Sequence, residues 1–246
     1  MGESGRDESW GEKVMRLRKL MWWAIGLVCI VLGFTAGTRY RYRGISGSKL
    51  ERDMKMLLTK YFDGLGFHPN DVAICIDDDG LYHLSFFRKS NISDLSVLKG
   101  IPLVGLKFPD SQVTDLTPLR KFKTLRYLDM CQTKISDLSP LSGLPLDILN
   151  ISVTDVRDLS PITNMPLRVL EIVHTPITNA DVILQTNISY LMFDPERMPK
   201  ELLDKIRAKK IEVLNGLDHD RFWKSFDARQ ARGLLSISNK VEGSKE

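Results

Sequence analysis

A period restricts the fold of this chain more than any other feature. Five segments beginning at Ile92, Val113, Ile135, Val156 and Ile177 read ISDLSVL, VTDLTPL, ISDLSPL, VRDLSPI and ITNADVI, at separations of 21, 22, 21 and 21 residues. A second pattern keeps the same phase. The string LVGLKF from Leu103 returns as LRYLDM from Leu125, LDILNI from Leu146, LRVLEI from Leu167 and ISYLMF from Ile188. Ser111, Thr133, Thr154 and Thr175 share one place, two residues ahead of the next Ile or Val. A unit of this size cannot bury its own apolar side, so successive units must stack into one continuous core.

The composition of each unit predicts its local structure. Alternation in LxL suits a short strand with its leucines on one side. The Asp or Asn at 94, 115, 137, 158 and 179 is placed to cap the turn that follows. Pro118, Pro140 and Pro161 fall in the first turn, where a missing N–H removes nothing. The recurring Ser or Thr is expected to form a hydrogen-bond ladder with loop backbone.

With its I-x-D-L-x-P-L turn followed by L-x-x-L-x-L, the chain resembles bacterial leucine-rich repeats of the internalin-like kind over residues 81–195. It departs from them in using Thr or Ser at the ladder position and in a fifth unit where Asn179-Ala180 replaces Asp-Leu, as a terminal unit would. The resemblance implies an α/β solenoid, a right-handed superhelix with a parallel sheet on its concave side, and protein recognition on that side.

Residues 20–38, LMWWAIGLVCIVLGFTAGT, carry no charge. As a helix they span roughly 28 Å, close to a bilayer's hydrocarbon core. Trp22 and Trp23 mark one interface and Tyr40 and Tyr42 the other. These features predict a single transmembrane helix, with a cleaved signal peptide as the alternative. Lys13, Arg16, Arg18 and Lys19 precede it and Arg39, Arg41 and Arg43 follow, so flanking charge discriminates orientation weakly. The favoured arrangement has residues 1–19 inside and the repeats outside the cytoplasm. Gly33 and Gly37 form a small-xxx-small pair of the kind chance often produces. Basic residues past the span (Arg39, Arg41, Arg43, Lys49, Arg52, Lys55) fit either an anionic lipid surface or plain solvation.

Residues 39–80 are expected to form a basic linker and an N-terminal cap. The cap has a helix over 48–65 with Leu50, Met54, Leu57, Leu58 and Phe62 on one face, then a strand over 72–76. Asp77 to Gly80 fits a hairpin turn and fails the spacing of a calcium loop. Residues 81–86 give a degenerate first LxxLxL. Residues 196–235 are expected to form a C-terminal cap: a helix from Pro199 to Lys210, an edge strand at 211–214, and a segment Asp218–Arg232 whose Phe222, Trp223 and Phe226 close the core. Residues 236–246 have the composition of a disordered tail.

Catalytic chemistry finds no purchase in the sequence. His68, His83, His174 and His219 are scattered, Cys29, Cys75 and Cys131 lack metal or redox spacing, and no phosphate loop, dinucleotide fingerprint or nucleophile elbow occurs. No cofactor is implied. A net charge of +4 with no basic stripe gives no reason to expect nucleic acid. The residues between the leucines point out onto the sheet face. Gly105, Tyr127, Ile148, Val169 and Tyr190 make one row, Lys107, Asp129, Asn150, Glu171 and Met192 a second, and Pro109, Cys131, Ser152, Val173 and Asp194 a third. Tyr127, Ile148, Val169, Tyr190, Lys107, Asp129, Asn150 and Glu171 are the candidate partner-binding residues, since exposed apolar and tyrosine side chains favour interfaces. β-Propensity alone also accounts for the first row. The functions expected are a membrane-anchored protein-recognition module or, alternatively, an envelope scaffold or an accessory subunit regulating a membrane enzyme such as a kinase.

Overall fold

The computed structural model describes residues 49–68, 71–76, 81–87 and 91–232. The expected membrane segment 20–38, the residues before it, the linker to residue 48, the turn at 77–80 and the tail 236–246 lie outside these residues. Among the described residues no helix is long and apolar enough to cross a membrane.

Among the described residues nine strands form one sheet in sequence order, β1-β2-β3-β4-β5-β6-β7-β8-β9. They are β1 (Val72–Ile76), β2 (Tyr82–Phe86), β3 (Leu103–Lys107), β4 (Tyr127–Asp129), β5 (Ile148–Asn150), β6 (Val169–Glu171), β7 (Tyr190–Met192), β8 (Val213–Leu214) and β9 (Leu217–Asp218). From β2 to β8 every neighbouring pair is parallel. Only the outermost pairs, β1–β2 and β8–β9, are antiparallel. Parallel strands adjacent in sequence need a crossover of a dozen or more residues. Here it is a short 3-10 turn on the opposite side of the coil: Leu95–Leu98, Thr117–Lys121, Ser139–Leu141 and Ser160–Ile162. The crossover after β6 is the helical turn α2 (Val182–Gln185), and that after β7 is the ten-residue helix α3 (Lys200–Lys209). The fold is a leucine-rich-repeat solenoid with a largely parallel sheet.

Each coil fills its interior from both sides. Leu146, Leu149 and Ile151 come from one strand side, and Ile135, Leu138 and Leu141 from the turn side, all at most 1% exposed. The same six positions are buried in the neighbouring coils, so one core runs the length of the solenoid.

The turn chemistry follows the expected spacing. Asp94, Asp115, Asp137 and Asp158 each accept a bond from the N–H two residues on, at 2.7, 2.8, 2.7 and 2.8 Å. Bonds from the Thr117 and Ser160 hydroxyls, and then these N–H bonds, hold the Asp115 and Asp158 carboxyls below the usual aspartate range. Asn179 behaves differently. Its carbonyl oxygen accepts from the Leu159 N–H at 2.8 Å and its amide donates to Asp158 at 2.6 Å, joining two coils where an aspartate would cap its own turn.

The buried hydroxyls of Thr133 and Thr154 donate within their own coils, to the Met130 and Ile151 carbonyls at 2.8 and 2.7 Å. Thr175 reaches the coil before it, donating to the Ile151 carbonyl at 2.8 Å, while Ser111 accepts from the Val113 N–H at 3.4 Å. The expected ladder of hydroxyls is therefore a set of local ties with a single inter-coil rung. Backbone supplies the inter-coil ladder instead. Past each strand, Asp110, Gln132 and Val153 donate N–H bonds of 2.9, 2.9 and 2.8 Å to the carbonyls of Cys131, Ser152 and Val173 in the next coil.

These donors and His174 occupy the left-handed region, with φ between 54° and 58°. Asp110, Gln132 and His174 have no branch at Cβ; Val153 does, and there the conformation is strained.

The ends are closed differently. At the N-terminal end lies helix α1 (Lys49–Asp63). Leu58, Tyr61 and Phe62 are at most 3% exposed, and Phe62 meets Phe67 and Phe86 edge-on at centroid distances of 5.9 and 5.6 Å. Leu57, expected on the buried face, is 47% exposed. It lies off the stripe set by Leu58 and Phe62, and Tyr61, one turn from Leu58, takes the inward place, its hydroxyl donating to the Val97 carbonyl at 2.8 Å. At the other end, helix α4 (His219–Ala231) buries Phe222, Trp223 and Phe226 against Phe193. Asn215 imitates one more strand residue: its side chain accepts from the Phe193 N–H at 2.8 Å and donates to the Phe193 carbonyl at 3.0 Å.

Two substitutions test this architecture. Leu149→Ala opens a cavity in the middle coil and should cost about 2–5 kcal/mol in chemical denaturation. Val153→Asn should stabilise by about 1 kcal/mol, because Asn tolerates the left-handed conformation and Val153, 43% exposed, has little packing to lose. Asn215 already holds that conformation, at φ 49°. A denaturation midpoint that falls for Val153→Asn would rule out backbone strain at this position.

Candidate recognition face

Alternation along the strands splits each LxxLxL in two. The leucines enter the core, and the residues between them stand on the open sheet face. Register then brings residues far apart in sequence into transverse rows. Gly105, Tyr127, Ile148, Val169, Tyr190 and Val213 pair successively across β3 to β8. Lys107, Asp129, Asn150, Glu171 and Met192 pair across β3 to β7. All eight candidate residues thus lie in two adjacent rows. Lys107 is exposed and the other seven are half-buried.

The first row begins one strand earlier than the repeats suggest. His83 pairs with Gly105 after a register shift between Tyr82 and His83. A Cβ on Gly105 would stand 2.1 Å from His83 Nδ1, so the imidazole fills the space that a side chain at 105 would take. His83 could have been found by placing the degenerate unit 81–86 in register, where it falls between Tyr82 and Leu84.

The second row carries charge on one side of the apolar row. Lys107 Nζ lies 4.8 Å from the centroid of the Tyr127 ring, a cation–π contact. A side-chain hydrogen bond with Tyr127 holds Lys107 above the ordinary lysine range, against the opposing effect of burial. Burial pushes the Tyr127 phenol up. The Tyr127 hydroxyl stands 3.4 Å from Asp129 Oδ2, and Asp129 Oδ1 accepts from the Cys131 N–H at 3.2 Å. Asn150 repeats that turn, accepting from the Ser152 N–H at 3.0 Å. Glu171 is raised above the usual glutamate range by its own burial, then by the Asp129 carboxylate, with Lys107 partly offsetting both.

A charged row on the other side of the apolar one escaped the sequence reading. Arg126, Asp147 and Arg168 precede β4, β5 and β6. Arg168 grips Asp147 with two bonds of 2.6 Å, Nε to Oδ1 and Nη2 to Oδ2, and this pair holds the Asp147 carboxyl below its usual range. Arg126 donates to the Pro145 carbonyl at 3.1 Å. The signal was present in the string: the second position of LxxLxL is Arg, Asp and Arg in consecutive units.

The third row does not continue as an exposed stripe. Asp194 is buried, accepting from the His174 N–H at 2.6 Å. Its carboxylate replaces the carbonyl that the next coil would have offered, because Pro195 turns the chain into a 3-10 turn there. Among the described residues no group of three or more His, Cys, Asp or Glu side chains could hold a metal ion.

The pKa direction at Glu171 makes a prediction. A carboxyl raised in the folded state contributes stability that is complete below its unfolded value, about 4.3. That contribution is lost as pH rises through the folded value. Glu171→Gln should therefore melt above the parent at pH 7, with the difference closing as pH falls below 4. Paired thermal melts of parent and variant across pH 3.5–7.5 check this; a gap that widens on acidification contradicts it.

The chain matches no protein-family profile and no curated protein sequence. Among solved structures it is similar to an internalin (InlF) from Listeria monocytogenes, at 24% identity and a TM-score of 0.45, over 50% of this chain and 38% of that one. It is also similar to an internalin C2 (InlC2) from the same organism, at 25% identity and a TM-score of 0.41, over 42% of this chain and 48% of that one. The chain spans less than half the length of either.

Proposed function

We propose that this protein is a recognition module that binds a protein ligand on the open face of its parallel sheet, with residues 20–38 tethering it to a membrane and the solenoid outside the cytoplasm. The observation that carries the reading is the register of the face. Tyr127, Ile148, Val169 and Tyr190 lie side by side on adjacent strands, with Lys107, Asp129, Asn150 and Glu171 alongside. These residues leave half-exposed apolar and aromatic surface next to charge, the composition from which interface anchors are drawn. The opposite side of the solenoid is built from turns that expose Asp, Ser and Thr and offer no comparable apolar stripe.

The test is photocrosslinking in intact cells. A photoreactive amino acid at Val169 or Tyr190 should give one discrete crosslinked species. The same probe at Arg120, exposed on the 3-10 turn side, should give none. Tyr127→Ala should abolish the species while shifting the melting temperature little. Equal crosslinking from both sides, or from Arg120 alone, would sink the assignment of the face. Protease added to the same intact cells should cleave the repeat domain; full protection would place it on the other side of the membrane.

A further inference from the structure

The apolar row describes half of a ligand, and the charged row beside it describes the rest. Glu171 is flanked in register by Asn150 and Met192, neither of which is a cation. Its carboxylate is half-buried and makes no hydrogen bond or ion pair among the described residues. The cations nearby are committed elsewhere. Lys107 stands three strands away in the register, its ammonium drawn over the Tyr127 ring, and it only partly offsets the charge of Glu171. Arg168 is held by Asp147, and Arg126 bonds the Pro145 carbonyl. Asp129 lies on the same row two strands from Glu171, with Asn150 between them. Taking a carboxylate partly out of water without a counter-charge costs free energy. A site that retains such a cost, amid neighbouring charges that are paired, breaks the local rule in the way functional surfaces do.

We infer that the ligand is a protein segment that sets a lysine or arginine side chain over Asn150, between Asp129 and Glu171, and lays an apolar or aromatic residue beside it on Ile148, Val169 and Tyr190. Charge complementarity selects the basic group. Two carboxylates flank a neutral amide, and the one cation of the row stands beyond Asp129. On the far side of the apolar row Arg168 is paired with Asp147 and Arg126 adds a further cation, so a basic group is attracted to the Asp129–Glu171 side and not to that flank. The inference rests on the reading of the sheet face as the binding surface.

The experiment uses the full-length chain in detergent micelles and a phage library of random 12-residue peptides. Binders are selected on the parent, and their affinities are measured on Glu171→Gln, Asp129→Asn and Tyr190→Ala. Glu171→Gln removes an ion that burial disfavours, so loss of binding by that variant does not reflect unfolding. The expected binders carry Lys or Arg next to an apolar residue. They should weaken at least tenfold on Glu171→Gln, on replacement of the basic residue by norleucine, and on raising the salt from 0.05 to 0.5 M. Binders that weaken on Tyr190→Ala but are indifferent to Glu171→Gln and Asp129→Asn would overturn the basic-ligand inference and leave the face as the binding surface. Binders indifferent to all three variants would overturn both.

Discussion

A coil of about 21 residues has more apolar surface than it can hide from water by itself, and every other property of this solenoid descends from that shortfall. Six buried side chains per coil, three from the strand side and three from the turn side, can leave water only when the next coil covers them. Stacking then demands that strands lie parallel at one spacing, which fixes the sheet and its sequence-ordered topology. It also leaves backbone groups beyond each short strand to be satisfied between coils, and left-handed residues at 110, 132 and 153 turn their N–H groups to the next coil for that purpose. The strain at Val153 is a local cost of that ladder.

The same shortfall explains the ends, where no next coil exists. The C-terminal end supplies what a coil would have supplied in two ways. Asp194 offers a carboxylate where a carbonyl is missing, and Asn215 offers an amide where a strand is missing. Aromatic rings cover the core at both ends: Phe62, Phe67 and Phe86 at one, and Phe222, Trp223 and Phe226 at the other. Arg207 lies 4.3 Å over the Trp223 ring and binds Asp227 at 2.5 Å, fastening α3 to α4 above the closed end.

Whatever the sequence states periodically could be read from it, and whatever depends on a single non-repeated contact could not. The parallel order of the strands, the transverse rows and the aspartate caps all follow from spacing, because each position reappears with the same neighbours. The threonine hydroxyls show the opposite case: spacing marks them as donors to backbone, which they are, but does not say which coil each one serves. A hydroxyl can reach its own coil or an adjacent one, and residue type alone does not choose between Met130 and the preceding unit. Asn179 likewise shows only as a departure from Asp; that its amide bridges two coils depends on Asp158 lying within reach. On the face, the eight candidate residues were readable as rows. The crowding of His83 over Gly105 and the unpaired state of Glu171 belong to three-dimensional neighbours that no period encodes.

The dimensions of the face constrain how it can work. From His83 on β2 to Val213 on β8 there are seven strands, about 29 Å at ordinary spacing, and the exposed rows together cover about 14 Å along the strands. That is about 400 Å², half of what one partner contributes to a standard-sized interface. Binding confined to this face therefore falls in the weak, exchanging class, unless a few anchors at its centre carry most of the energy. The centre is where Ile148 and Val169 meet Asn150 and Glu171, and there a half-buried carboxylate with no hydrogen bond or ion pair among the described residues is the group that the proposed basic ligand would compensate. The membrane tether proposed for residues 20–38 would act in the same direction. Holding module and ligand on one surface raises their effective concentration without adding a contact, so a short solenoid of this kind needs little affinity of its own once both partners share a membrane.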